Sequence, residues 1–171
     1  LEFRRVLFRS NEESHEKFQE RYAKAVYEII SSQFQAKRYT LKGKLINGML
    51  IRAFNSNKLT DQLIRQIKKI NKNYNFNFYS MYEDKTASVG DFIKSHHIDL
   101  DDDEKKNIIF LTGSGRASDS FPAKFGYGLD FTNEASNWTA LFQGIIGRVT
   151  GYNKNPIIIL SEENKNLLET H

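Results

Sequence analysis

From about Lys44 onward the chain alternates short apolar runs with amphipathic stretches, and this pattern constrains the fold more than any other feature. Residues 107–111 (NIIFL) and 156–160 (PIIIL) are apolar almost throughout. Strands read this way when both faces of their sheet are covered, as in parallel sheets. Residues 45–54 (LINGMLIRAF), 75–82 (NFNFYSMY) and 125–131 add three further strand-like runs. Between them, Leu59, Leu63, Ile67 and Ile70 recur at helical spacing, and Ser88 opens a shorter stretch carrying Val89, Phe92 and Ile93. In residues 137–148, Trp138, Leu141, Phe142, Ile145 and Ile146 form one apolar face that continues to Val149. Strands alternating with helices predict βαβ units, hence an α/β fold with a mostly parallel sheet and helices on both faces. Ligands of such sheets sit at the carboxyl ends of the strands, so the residues just after Phe54, Leu111 and Leu160 matter most.

Ahead of this region, residues 14–36 predict one more helix, with Phe18, Tyr22, Val26, Ile29 and Ile30 on a packing face. The expected organisation is residues 11–40 as a helical connector and residues 41–171 as the α/β lobe. Residues 1–10 (LEFRRVLFRS) resemble the in-frame translation of a sequencing-adapter oligonucleotide, and we treat them as an artefact joined to a gene fragment. A signal peptide would carry an apolar core and a small-residue cleavage site, and neither follows.

The formal net charge of +4 points to a polyanionic partner, but the first ten residues supply half of it. They hold three of the 25 basic and one of the 21 acidic residues. Hydrophobic residues make up 39% of the 171, enough for a globular core, and no run is long enough to cross a membrane. Cysteine is absent, which excludes a disulfide framework and a thiolate metal site and fits a cytoplasmic location.

Two segments have the composition of ligand loops. The first, residues 111–122 (LTGSGRASDSFP), follows a buried strand directly. Gly113, Gly115 and the hydroxyl residues around them allow backbone N–H groups to approach an anion, and Arg116 and Asp119 lie one turn apart. Taken alone, a polar connecting loop with an internal ion pair has the same composition. No Gly-Lys-Ser/Thr follows, so it is not a Walker A loop. The second, residues 143–152 (QGIIGRVTGY), ends the last helix, with Gln143 and Gly147 opposite the apolar stripe and Arg148 at its border. Gly144 and Gly147 each cost about 1 kcal/mol relative to Ala inside a helix, which implies a close approach to the backbone. A plain helix end with a solvated arginine is the alternative.

The order of these elements resembles the C-terminal RecA-like lobe of superfamily-2 (DEAD/DEAH-like) helicases. Motif V of that family runs from Thr through small residues to Arg-Gly-x-Asp and then Pro. Thr112, Arg116, Asp119 and Pro122 fit it, with Ala117 in place of Gly. Motif VI runs from Gln or His to Gly-Arg and a second Gly-Arg. Gln143, Gly147 and Arg148 fit, one residue longer than the common spacing, and Gly151-Tyr152 stands at the second Gly-Arg. The LIRAFNS run resembles motif IV. The resemblance covers about two thirds of the chain.

By resemblance, the chain would be a RecA-like three-layer motor lobe of a nucleic-acid-dependent ATPase, inactive without an N-terminal RecA-like lobe. Arg148 would be the arginine finger, assisted by Gln143. Asp119, Arg116 and Gly147 would meet ATP and its Mg²⁺, both held mainly by the other lobe. Thr112, Ser114 and Asn55 would contact nucleic acid, DNA rather than RNA. A non-catalytic α/β module binding nucleic acid or a protein is the second reading, and an unrelated nucleotide-binding α/β domain the third. The remaining polar features read as surface. His96-His97 is a solvated helix end, with a metal ligand pair as the alternative; residues 99–104 (DLDDDE) fail the calcium-loop pattern at positions 6 and 12; Lys68, Lys69 and Lys72 form a solvated face, with phosphate contact as the alternative; Tyr79 and Tyr82 pack at the core and rim, with base stacking as the alternative.

Overall fold

A computed structural model describes residues 14–83, 88–113, 121–132, 147–149, 155–161 and 166. In chain order its elements are α1 (His15–Gln35), β1 (Gly48–Arg52), α2 (Asn57–Ile70), β2 (Phe76–Glu83), α3 (Val89–Ser95), β3 (Lys106–Gly113), β4 (Phe125–Asp130), a helical turn α4 (Gly147–Val149) and β5 (Ile157–Leu160). Each of the first three helices starts at a serine. The hydroxyls of Ser14, Ser56 and Ser88 accept from the N–H of Lys17, Leu59 and Asp91 at 3.2, 3.3 and 3.3 Å. These bonds satisfy N–H groups that the helix itself leaves orphaned.

The five strands form one sheet in the order β2-β3-β1-β4-β5, and every neighbouring pair is parallel. Side chains alternate across it. Met49, Ile51, Ile108, Phe110, Tyr127 and Leu129 join Tyr22, Val26, Ile30, Leu63 and Ile67 in one core cluster, so α1 and α2 cover that face. Leu50, Ile109 and Leu111 join Val89, Phe121, Phe125 and Val149 in a second cluster, with Phe92 and Ile93 packed against it. The α/β class expected from the sequence is therefore what the chain forms, and among the described residues every strand pair of the sheet is parallel. Helix α1 is no mere connector: Tyr22, Ala23, Val26, Ile29, Ile30 and Phe34 are all buried in the core of the α/β lobe. Most of the helix expected at 137–148 lies outside the described residues; its last part is α4. No helix among the described residues is long and apolar enough to cross a membrane.

The amino ends of the strands are closed by the acidic run. Buried Asn47 donates to the carbonyl of Leu100 at 3.0 Å, and buried Asn107 to that of Asp99 at 3.1 Å. Lys124 reaches the Asp103 carboxylate at 2.9 Å. The Asp99 carboxylate accepts from the N–H groups of Asp101 and Asp102, which lowers its pKa below the usual aspartate range. This surface turn is thus pinned to the edge of the sheet opposite the expected ligand edge.

Gly48 sets how closely β1 and β4 approach. A Cβ there would lie 2.5 Å from the Phe125 ring and 2.9 Å from the Phe125 Cα, at the point where the β1–β4 register shifts. Part of that clash is with backbone, which cannot swing away. We expect Gly48→Ala to lose about 1–3 kcal/mol in urea unfolding, the usual cost of overpacking. A loss below about 0.5 kcal/mol would mean that the two strands can separate freely.

Candidate site at the carboxyl edge of the sheet

The chain leaves β1 toward β2 on one side of the sheet and leaves β4 toward β5 on the other, so the crevice between β1 and β4 is the switch point. The last residues of these strands, Arg52 and Asp130, are paired in register there. Both are buried, at 8% and 2% exposure. The Asp130 carboxylate accepts from the backbone N–H of Thr132 at 3.0 Å and from its hydroxyl at 2.7 Å. Burial pushes the Asp130 pKa up, and the Thr132 hydrogen bonds and the charge of Arg52 only partly restore it. From α1, the Tyr22 hydroxyl is pushed up, by burial first and by the charge of Asp130 second. The Ser161 N–H donates to the Asp130 carbonyl at 3.0 Å, so the end of β5 closes the same edge.

Arg148 joins this group from α4. Its backbone carbonyl accepts from the Phe121 N–H at 3.2 Å, and its guanidinium carbon lies 5.1 Å over the Phe121 ring. These two contacts tie the tail of the first candidate loop to the end of the second. Arg148 is 2% exposed, not at the solvent border that the helical pattern predicted. The reason is tertiary: Val149 and Phe121 belong to the second core cluster, and they draw the turn inward. Burial, and then the charge of Arg52, lowers the Arg148 pKa to about 10. Arg52, Arg148 and Asp130 thus gather two guanidinium groups and a carboxyl group, all buried, at the switch point.

Thr112 lies at the same edge but on the other face, because it alternates with Leu111. Its hydroxyl donates to the Asn57 carboxamide at the start of α2, and the side chain is fully buried. It therefore anchors α2 to β3 and is not turned outward toward a phosphate. Asn55 is exposed in the loop between β1 and α2, and Gly147 opens α4. Ser114, Arg116, Asp119 and Gln143 lie outside the described residues.

Sequence reasoning missed Arg52, Asp130, Thr132 and Ser161. The available signal was a lone charge at the carboxyl end of an apolar strand, Arg52 in GMLIR and Asp130 in FGYGLD. Among the described residues no group of three His, Asp or Glu is placed to hold a metal. His96 caps the end of α3 and stacks on Phe92 at 4.0 Å, as expected of a helix end.

The chain matches no protein-family model and no curated protein sequence. Fold and site together define a class: an open, parallel α/β sheet with buried charged residues gathered at its switch point.

Proposed function

We propose that the chain is the C-terminal motor lobe of an ATP-dependent nucleic-acid helicase or translocase of superfamily 2, working in the cytoplasm. In this reading a partner lobe binds the phosphates of ATP and Mg²⁺. Arg148 is the arginine finger that stabilises charge on the transferring phosphoryl group. Arg52 and Asp130 are positioning residues that set the charge around it, while Asp119 and Arg116 sense the nucleotide. The observation that carries the reading is the junction of the two candidate motifs, where Arg148 stacks on Phe121 beside Arg52 at the switch point. The enclosure of Arg148 adds a requirement: Phe121 and α4 must move for the guanidinium to reach a phosphate. Closure of two lobes on a nucleotide is a motion of that kind.

The same enclosure favours the second reading, a module that binds nucleic acid without ATP turnover. Steady-state ATPase measurements separate the two. The chain alone is expected to hydrolyse no ATP, because it has no Walker A lysine. Joined to a lobe carrying Gly-Lys-Ser/Thr and an Asp-Glu pair, it is expected to show turnover stimulated by nucleic acid. Turnover by the chain alone, or a joined protein indifferent to nucleic acid, would refute the motor reading.

A further inference from the structure

Helix α2 carries a stripe of positive charge. Arg65, Lys68 and Lys69 are exposed along it, and exposed Lys72 continues the i, i+3, i+4, i+7 spacing onto the following turn. The helix has a single acid, Asp61, nearer its other end. None of the four cations has an ion-pair partner among the described residues. Helix α1 differs, since Glu16, Glu20 and Glu28 interleave there with Lys17, Arg21 and Lys24.

The turn after α2 is held in a fixed shape. The Tyr27 hydroxyl, from α1, donates to the Asn71 carboxamide at 3.2 Å and accepts from the Lys72 N–H at 3.2 Å and the Asn73 side-chain amide at 2.8 Å. The Asn73 N–H closes on the Asn71 side chain at 3.0 Å. Tyr74 follows at once, with its side chain fully in solvent. Lysines at a helix C-terminus also complement its dipole. That effect accounts for Lys68 and Lys69, but not for Arg65 or for an exposed aromatic ring beside a pinned turn.

We propose that the face of Arg65, Lys68, Lys69 and Lys72, with Tyr74, is a contact for single-stranded nucleic acid. The four cations follow the phosphates and Tyr74 stacks on a base. Helix α2 begins at the Thr112 edge and ends at the start of β2, so this contact lies at the opposite end of the lobe from Arg148. It stands independently of the motor reading. A membrane surface fits less well, because Leu63, Ile64 and Ile67 spend the apolar side of α2 in the core. An acidic protein is the competing occupant, and the polyglutamate arm of the test below separates it from the strand.

The test is fluorescence anisotropy of a labelled single strand of about 20 nucleotides on the whole chain, without nucleotide, across a salt series. Replacing Arg65, Lys68, Lys69 and Lys72 together by Gln is expected to weaken binding and to lower the slope of log K against log salt by roughly 2–3, at about 0.7 per phosphate contact. Tyr74→Ala is expected to weaken binding about tenfold and to leave the slope unchanged. Circular dichroism melting of both variants verifies that they fold. An unchanged slope in the folded Gln variant overturns the proposal. So does tighter binding to polyglutamate or to phosphatidylserine vesicles than to the strand, lost in the same variant. The motor reading is measured by ATP turnover and this one by the salt slope, so either can fail alone.

Discussion

In the two-lobe protein proposed above, replacing Arg148 by Met is expected to stop nucleic-acid-stimulated ATP turnover, and in the chain itself to raise stability. An arginine finger is worth on the order of 10³–10⁵ in turnover, and Met supplies no charge to the transition state. Nucleotide binding should change far less, since the finger acts chiefly on the transition state. The stability gain follows from the structure. Arg148 is buried next to Arg52, and its pKa falls from the ordinary arginine value to about 10, through burial first and the charge of Arg52 second. The unfolded chain therefore holds this proton more tightly than the folded one. The resulting penalty is fully present below about pH 10 and is relieved as pH rises toward the unfolded value. Met keeps the stem packing against Phe121 but loses the cation–π contact, which offsets part of the gain. The net expectation is a gain of about 1–2 kcal/mol in urea unfolding between pH 7 and 9. A residue that lowers stability in the resting protein and is needed for turnover has the signature of a functional site. Two results would count against this. Near-normal turnover in a folded Met variant would remove Arg148 from the chemistry. A loss of more than about 1 kcal/mol would make Arg148 a structural strut.

Arg52→Met should act in the opposite direction. Asp130 is 2% exposed, and its pKa is already raised by burial against the pull of Arg52 and Thr132. Without Arg52 the buried Asp130 carboxyl loses a neighbouring cation that favours its charged form, and the variant is expected to lose roughly 1–3 kcal/mol near neutral pH. The sign of the pH dependence follows from Asp130. A carboxyl whose folded pKa is raised keeps its proton in the folded state at pH values where the unfolded chain has released it. Stability is therefore lost as pH rises from the unfolded value of 3.8 through the folded one. Removing Arg52 raises the folded value further. The deficit of the variant should be largest near neutral pH and should narrow toward pH 4, where Asp130 is protonated and needs no cation. Unfolding curves at pH 4 and pH 7 test this, and an equal deficit at both would show that Arg52 acts through packing alone. Arg148→Met and Arg52→Met share a neighbourhood, so their effects should not add.

The helices and strands were legible because each carries its own local signal. Ser14 and Ser88 stood at the start of two helical patterns, and the structure uses their hydroxyls, together with that of Ser56, as N-caps. The apolar runs of β3 and β5 announced a sheet covered on both faces. Boundaries moved by a few residues: β1 is Gly48–Arg52, where residues 45–54 were expected. Ile46 and Asn47 stay buried without being strand, because Ile46 packs over Gly126 of β4 and Asn47 bonds to the loop at Leu100.

The candidate site was legible only where it lay in a loop of telling composition. Thr112 and Arg148 do occupy the carboxyl edge, but they face opposite sides of the sheet. Arg52 and Asp130 read as ordinary strand residues, because their meaning comes from a partner distant in the chain. By itself, then, the sequence determined the elements and the mostly parallel class of the sheet, since periodicity acts within a few residues. Only the tertiary structure decided the strand order, the pairing of Arg52 with Asp130 and the enclosure of Arg148. Each depends on which crossover packs on which face, and therefore on burying Phe121, Val149 and Leu50 together rather than on any property of the residues taken one by one.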